Sequence, residues 1–395
     1  MKTHQFLNTH FRSNLLIALL LSVLVGTHVF STATAVSQGF GMGESTLLQA
    51  GSFLPVVASA PVDRPRGIFV LAGLGGPNGG VEQSLKIINL VRDLDYIEGV
   101  TIGFSWADTE VSPGQYDFSK IDAVMAALSS SEKALNVEVF AVEVPAYLLA
   151  QLPAEEIWDA HAPGQRTVRT AVPWSQAALG AWEAYMQALA AHPVPLPDGT
   201  MVPLAEHPTL IMVDAPIVGL QDVRDLNNVL TKLPGYDRQT FIAAVVQSVH
   251  AARDVFPEKF GFLGLFRLND ANMAYPLDQA IVDRLMGDFN GPEQPTLGFF
   301  QETLSDAGPQ ASGLGKRLFA VKDQTYIVFQ ALTAWVNPFT GGDAVASGKA
   351  ATGIQFAYET YNATYVELYL ADVLDPNQTQ DLQQWNAILI TGDTP

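Results

Sequence analysis

The sequence predicts an α/β fold, a (β/α)8 barrel of the TIM-barrel class. Three observations support this: short apolar runs alternate with amphipathic helical stretches after residue 60, eight such runs occur, and most are continuously apolar. Parallel strands that helices cover on both faces have this continuous pattern. A doubly wound open sheet is the alternative, but the glycine clusters at 73–80 and 313–315 lack the GxGxxG spacing of a dinucleotide-binding turn.

The predicted strands follow one another at intervals typical of strand-helix units. They are residues 67–73, 100–106, 137–144, 209–215, 260–266, 296–301, 326–330 and 364–369. Apolar residues three and four apart predict helices between them, including one that opens at Ser119, where Asp122 is typical of a capping box. The last helix before the final strand is predicted at about 343–361, and residues 193–208 form a predicted proline-rich loop.

The N-terminus is typical of a targeting segment. A positive region with Lys2 and Arg12 precedes the apolar run 14–25, and residues 33–35 read Ala-Thr-Ala, a small-x-small cleavage motif. We therefore predict a signal peptide at 1–35, a leader or linker at 36–60 and the barrel domain at 61–395. An uncleaved anchor is the alternative, but the run is short for a span of about 20 residues. The expected location is secreted or periplasmic, with no membrane contact after cleavage.

Composition excludes several functional classes. The formal net charge of −19 argues against a nucleic-acid partner, because such affinity comes from Lys and Arg meeting phosphate. The chain has no cysteine, which excludes disulfides, thiolate metal sites and a cysteine nucleophile. No HxH or HExxH motif and no P-loop occur. We therefore expect no metal and no cofactor.

The stretch GFSWADTEVSPGQYDFSKID (103–122) places Trp106, Asp108 and Glu110 directly after the second strand. Catalytic groups of a (β/α)8 barrel lie where strands end and the following loops begin. An aromatic face can stack on a sugar ring, and carboxylates accept hydrogen bonds from its hydroxyls. The alternative is that Trp106 belongs to the core and that both acids are solvated.

The same stretch carries a family resemblance. Its Trp-x-x-x-Glu-x-x-x-Gly-x-Tyr-Asp-Phe-x-x-Ile-Asp pattern resembles clan A glycoside hydrolases of the family 42 and family 5 types. The segments VEVPAYLL (142–149) and VPWSQAALGAWEAYMQAL (172–189) resemble those around the third strand and before the fourth. The similarity covers roughly residues 64–376. It implies a barrel that acts on carbohydrate, with an oligo- or polysaccharide as partner.

The sequence departs from this family at the catalytic positions. Clan A enzymes carry an Asn-Glu pair after the fourth strand and a nucleophilic Glu after the seventh. The resemblance puts Asp222, with Gln221 beside it, at or near the acid position and Gln330 at the nucleophile position. An aspartate reaches about 1.5 Å less far than a glutamate, and an amide cannot form a glycosyl ester.

Other carboxylates could serve, because glycoside hydrolysis needs two. Glu143 ends the third strand and Glu302 follows the sixth. Glu367 lies in the eighth, on the face that the period of two directs inward. We expect at least two acids among these three and Asp222 to converge on one cleft. Its tyrosine neighbours make Glu367 the acid expected to have a raised pKa.

Two functional interpretations follow: a secreted glycoside hydrolase with a carboxylate pair, or a non-catalytic carbohydrate-binding barrel that has lost the pair. The predicted catalytic residues are Asp222, Glu302 and Glu367. The predicted substrate-binding residues are Trp106, Asp108, Glu143, Gln301, Gln330 and Trp335.

Overall fold

The computed structural model describes residues 63–73, 80–152, 154–158, 167–220, 230–266, 268, 270, 272, 274–290, 297–304, 313–336 and 349–392. For residues 154–158, 167, 168 and 303, only the backbone is described. The predicted signal peptide and leader lie outside these ranges, as do Gln221 and Asp222. Within them, no helix is long and apolar enough to cross a membrane.

Eight parallel strands close into a barrel, which confirms the predicted fold class. They are β1 (Gly67–Leu71), β2 (Gly99–Ser105), β3 (Ala134–Phe140), β4 (Leu210–Asp214), β5 (Phe260–Gly264), β6 (Gly298–Leu304), β7 (Ile327–Ala331) and β8 (Tyr365–Leu368). Each overlaps a strand predicted from an apolar run. The doubly wound alternative is wrong, because β1 pairs with β8 and the barrel has no edge strand.

One longer helix follows each strand. They are α1 (Val81–Val91), α2 (Ser119–Leu128), α3 (Gln176–Ala191), α4 (Arg238–Arg253), α5 (Leu277–Phe289), α6 (Leu314–Val321), α7 (Ala350–Tyr361) and α8 (Thr379–Thr391). Helix α2 begins at the predicted residue, but its predicted capping box is wrong. The N-cap residue is Phe118, whose side chain makes no capping hydrogen bond, and Asp122 instead lies 2.7 Å from His192 Nε2. For α7, the predicted residues 343–348 lie outside the described ranges.

Short elements decorate the barrel. Helical turns occupy Trp106–Thr109, Ala146–Leu149, Leu204–Glu206, Leu230–Lys232 and Leu370–Val373. Antiparallel pairs join Glu110–Ser112 to Gln115–Tyr116, Ala154–Trp158 to Thr167–Ala171, and Pro193–Pro195 to Met201–Pro203. The last pair corrects the predicted proline-rich loop. A turn at Gly199, with φ of 86°, lets Leu196 N–H donate to the Thr200 carbonyl at 2.8 Å.

The strands bury two different faces. Their outward side chains, including Val366 and Leu368 of β8, pack with the helices in the main hydrophobic core. Inward side chains form a smaller apolar cluster inside the barrel: Phe69, Met212, Phe262, Phe300, Tyr326, Val328 and Tyr365. This alternation agrees with the predicted facing of strand eight. The interior beyond this cluster, toward the carboxyl ends of the strands, is polar.

Candidate functional site

Polar side chains line the barrel toward the carboxyl ends of the strands. On β4, β6, β7 and β8 the polar residue comes two positions after a member of the apolar cluster. It therefore faces the barrel interior as that member does, but lies closer to the mouth. We call this set the inner polar layer: Thr101, Asn136, Glu138, Asp214, Glu302, Gln330 and Glu367. Branched apolar residues usually fill such barrels. The fold therefore does not require this layer, which indicates a functional site.

Glu367 of β8 has no exposed surface. Its Oε1 accepts hydrogen bonds from Thr101 Oγ1 at 2.6 Å, Tyr365 OH at 2.6 Å and Asn136 Nδ2 at 2.9 Å. Among the described residues, Oε2 has no hydrogen-bond partner. Burial raises the pKa of Glu367, the three hydrogen bonds oppose that shift, and the charge of Glu302 adds to it. The raised pKa agrees with the sequence-based expectation, but full burial denies Glu367 direct contact with a substrate.

Glu302 of β6 is the half-buried acid of the layer. Its charge raises the pKa of both Glu367 and Tyr369, so it lies near both groups. Gln330, on the intervening strand β7, hydrogen-bonds to the Tyr369 hydroxyl, whose pKa burial also raises. The structure thus brings together Glu302 and Glu367, two of the four acids expected to converge.

Two acids of this layer, Glu138 and Asp214, are buried and were not among the site residues predicted from the sequence. The charge of Glu138 also raises the pKa of Tyr369, which places Glu138 near the same hydroxyl. A pattern in the sequence could have found it, because Asn136 and Glu138 alternate with apolar residues that face the helices. Asp214 ends β4, where a barrel strand meets its loop.

The two predicted glutamines have different surroundings. Gln301 is buried, and its Nε2 donates to the Leu265 carbonyl and, at 3.3 Å, to the Phe300 carbonyl. It thereby ties the carboxyl end of β5 to β6, and its amide nitrogen is occupied by backbone. Gln330 faces the interior beside Glu367, its register partner on β8.

Trp106 corrects the expectation of a sugar platform. It begins the helical turn directly after β2, lies in the main core with Phe104, and has no exposed surface. Its ring packs against Trp182 and Tyr185, with centroids 5.3 and 5.9 Å away. Its Nε1 donates to Glu110 Oε2 at 2.7 Å. A fully buried ring cannot stack on a sugar, so the predicted role is wrong and Trp106 is a core residue.

Asp108 and Glu143 lie on the predicted side of the barrel but outside the inner polar layer. Asp108 is exposed, and its charge acts on Lys120, whose pKa burial lowers to about 8. Lys120 Nζ donates to the Gly103 carbonyl at 2.7 Å, which places Asp108 near β2. Glu143 is half-buried, and its carbonyl accepts from Ala107 N–H at 3.0 Å.

Trp335 corrects the expectation of a second sugar platform. Its side chain is 8% exposed and packs in the main core. It lies so close to α7 that a Cβ on Gly353 would come within 2.8 Å of its ring. Asp372 holds the backbone next to Trp335, because its Oδ1 accepts a hydrogen bond from Val336 N–H at 3.0 Å.

Part of the predicted site is outside the described ranges, namely Asp222, the expected acid. Within those ranges, no three His, Asp or Glu side chains are grouped so that they could hold a metal ion.

Comparison with solved structures finds the same barrel in glycoside hydrolases. The catalytic domain of β-amylase from Paenibacillus polymyxa superposes with a TM-score of 0.52 at 11% identity, covering 85% of this chain and 100% of that one. GH5_18 from Streptomyces cattleya in complex with GlcNAc has a TM-score of 0.50 at 11% identity, with 85% and 82% covered. No protein-family model and no curated protein sequence matches the chain. At this identity, the resemblance to clan A glycoside hydrolases is confirmed at the level of the fold.

Proposed function

We propose that this protein is a secreted glycoside hydrolase that cleaves an O-glycosidic bond of an oligo- or polysaccharide at the carboxyl mouth of its barrel. The observation that carries the proposal is Glu302, half-buried at the mouth beside the buried Glu367. Burying polar groups and charges is costly unless they are hydrogen-bonded or paired. Selection for function explains why this barrel keeps acids where branched apolar side chains are usual.

Hydrolysis at this mouth needs two carboxyl groups. A water oxygen bonds to the anomeric carbon while the bond to the leaving oxygen breaks; one acid protonates that oxygen and one carboxylate takes the water proton. We assign Glu302 to this pair. Its partner is Glu138, which β3 directs into the barrel, or Asp222, which the family resemblance favours. Because Gln330 cannot act as a nucleophile, we propose direct attack by water and inversion at the anomeric carbon.

Glu367 has a supporting role in this proposal. It has no exposed surface and its pKa responds to the charge of Glu302, so we assign it a positioning role beside Glu302 and not contact with the substrate. Because burial raises its pKa, Glu367 keeps its neutral form to higher pH than an ordinary carboxyl group does.

A second function is favoured by one observation. Gln330 is 4% exposed and hydrogen-bonds to Tyr369 at the position where the resemblance expects a nucleophile. A barrel with an amide there could bind carbohydrate without cleaving it.

Single substitutions distinguish these functions. The assay uses a panel of aryl glycosides and three single variants: Glu302→Gln, Glu138→Gln and Asp222→Asn. We expect Glu302→Gln to lower kcat by about 10²-fold or more, and one of the other two single variants to do the same. Glu206→Gln, on an exposed turn outside the barrel interior, is the matched control and should retain wild-type rates. If wild type cleaves and Glu302→Gln cleaves equally fast, the assignment is wrong. If wild type binds oligosaccharide but cleaves none of the panel, the binding function replaces the catalytic one.

A further inference from the structure

An exposed tyrosine is held rigidly on the carboxyl face of the barrel. Tyr275 is 39% exposed and lies in the segment 265–276 between β5 and α5. Loops that follow barrel strands form the face on which active sites lie. The segment begins at Leu265, whose carbonyl accepts from Gln301, the neighbour of Glu302 in sequence. Tyr275 therefore belongs to the same face as the candidate site.

Four contacts fix the position of Tyr275. The guanidinium carbon of Arg238 lies 5.7 Å from the ring centroid and covers one face. The hydroxyl donates to Asp283 Oδ2 at 2.6 Å, and the backbone N–H donates to Asn272 Oδ1 at 3.2 Å. Arg238 Nη2 also donates to the Tyr275 carbonyl at 2.5 Å. The ring is thus held at both ends and on one face, while more than a third of the residue stays exposed.

The residues that hold Tyr275 are themselves held. Arg238 Nη1 lies 2.6 Å from both carboxylate oxygens of Asp270, and this ion pair is shielded, with side-chain exposures of 16% and 6%. Asp270 Oδ2 also accepts from Tyr236 OH at 3.2 Å. Burial and the charge of Asp270 raise the pKa of Tyr236 to about 12, so its hydroxyl stays protonated and donates. Trp174 packs edge-on against Tyr236, with centroids 5.9 Å apart.

We propose that Tyr275 is an outer carbohydrate-binding site, at which a pyranose ring of an oligo- or polysaccharide stacks on the uncovered part of the tyrosine ring. The proposal rests on the proposed function, because a chain engaged at Glu302 would extend across this face. A ring that is already ordered loses little conformational entropy on binding. The charges of Arg238 and Asp270 are paired with each other. The contact between the tyrosine ring and a sugar is therefore mainly apolar and suits a neutral glycan.

The test is native affinity electrophoresis in gels that contain glucomannan, xyloglucan, laminarin or soluble starch. Retardation over a concentration series gives Kd for each polysaccharide. We expect wild type to be retarded by at least one of them, and Tyr275→Ala and Tyr275→Leu to weaken that binding about tenfold. Tyr275→Phe should keep most of it, because the aromatic face remains. Melting curves of the variants confirm that each is folded.

Phe319 provides a matched control. It is 50% exposed, and Lys322 Nζ lies 5.3 Å from its ring centroid, but it belongs to helix α6 on the outer ring of helices. Phe319→Ala should bind as wild type does.

Three results would overturn the proposal: wild-type affinity in Tyr275→Ala, equal weakening in Phe319→Ala, or a wild type that no polysaccharide retards. Tyr275-dependent retardation without cleavage of any aryl glycoside would leave this site standing and remove the catalytic proposal. Cleavage of an aryl glycoside without Tyr275-dependent retardation would leave the catalytic proposal standing and remove the Tyr275 site.

Discussion

A carboxyl group inside a packed barrel has to be stabilised by its neighbours. In Glu367 the hydrogen bonds are divided unequally between the two carboxyl oxygens. Three donors converge on Oε1, while Oε2 has no partner among the described residues. Such an arrangement accommodates a neutral acid with its proton on Oε2. It also makes the charged form costly, because burial in a low-dielectric interior penalises charge.

We predict a pH-dependent stability difference between wild type and Glu367→Gln. The pKa of Glu367 is raised above its ordinary value of 4.5 in the folded state, so its contribution to stability is present at low pH and is lost as pH rises through the folded pKa. Glutamine does not titrate. In thermal unfolding from pH 4 to 9, the melting temperature of Glu367→Gln minus that of wild type should increase as pH rises.

Tyr365→Phe provides the matched comparison for this prediction. It removes a hydrogen bond that lowers the pKa of Glu367, so the loss of stability should continue to higher pH than in wild type. A constant offset between wild type and Glu367→Gln at every pH would show that Glu367 titrates normally.

We expect Trp106→Ala to lower the free energy of unfolding by about 3–5 kcal/mol, as for other large buried aromatic side chains. It also leaves a Glu110 oxygen without the Trp106 donor. Asp108→Asn is the control, because Asp108 is exposed and lies two residues away. Its free energy of unfolding should be close to that of wild type. Chemical denaturation measures both. A stable Trp106→Ala that no longer binds carbohydrate would restore the sugar-platform interpretation.

Among the elements, α7 is positioned by the close approach of its backbone to the segment after β7. Gly353 permits this approach, because a Cβ there would meet Trp335 Cζ2 at 2.8 Å and Cη2 at 3.1 Å. A glycine inside a helix ordinarily lowers stability relative to alanine. In α7, packing against Trp335 reverses that preference.

Gly353→Ala should therefore destabilise the protein by about 1–3 kcal/mol, in the range for overpacked cores. Gly180→Ala in α3 is the control, since nothing lies within 4 Å of its added Cβ. That change should stabilise by about 0.5–1 kcal/mol, from helix propensity. Both free energies come from denaturant unfolding. Stabilisation by both substitutions would show that Trp335 moves aside without cost.

For the whole molecule, export remains a prediction from the N-terminal pattern. Expression in a secreting host should yield a chain that begins near Val36, because cleavage follows the Ala-Thr-Ala motif at 33–35. N-terminal sequencing of the secreted protein measures this. An intact Met1 in the membrane fraction would instead identify residues 14–25 as an anchor.

The sequence by itself predicted the eight strands, the helices between them and their order along the chain. Eight apolar runs separated by helical periodicity are a local pattern, and local patterns decide which segments become strands and helices. The period of two also assigned Glu367 to the inner face, because alternation within one strand needs no knowledge of its neighbours. Applied to β2 and β3, the same rule would have placed Trp106 outside the barrel and Glu138 inside it.

The tertiary structure alone decided which side chains meet. Closure of the barrel brings Glu138, Glu302 and Glu367 from three separate strands around Tyr369. Packing of α7 turns Trp335 into a core residue. These outcomes depend on contacts between residues far apart in the chain, and the spacing of residues along one segment carries no information about them.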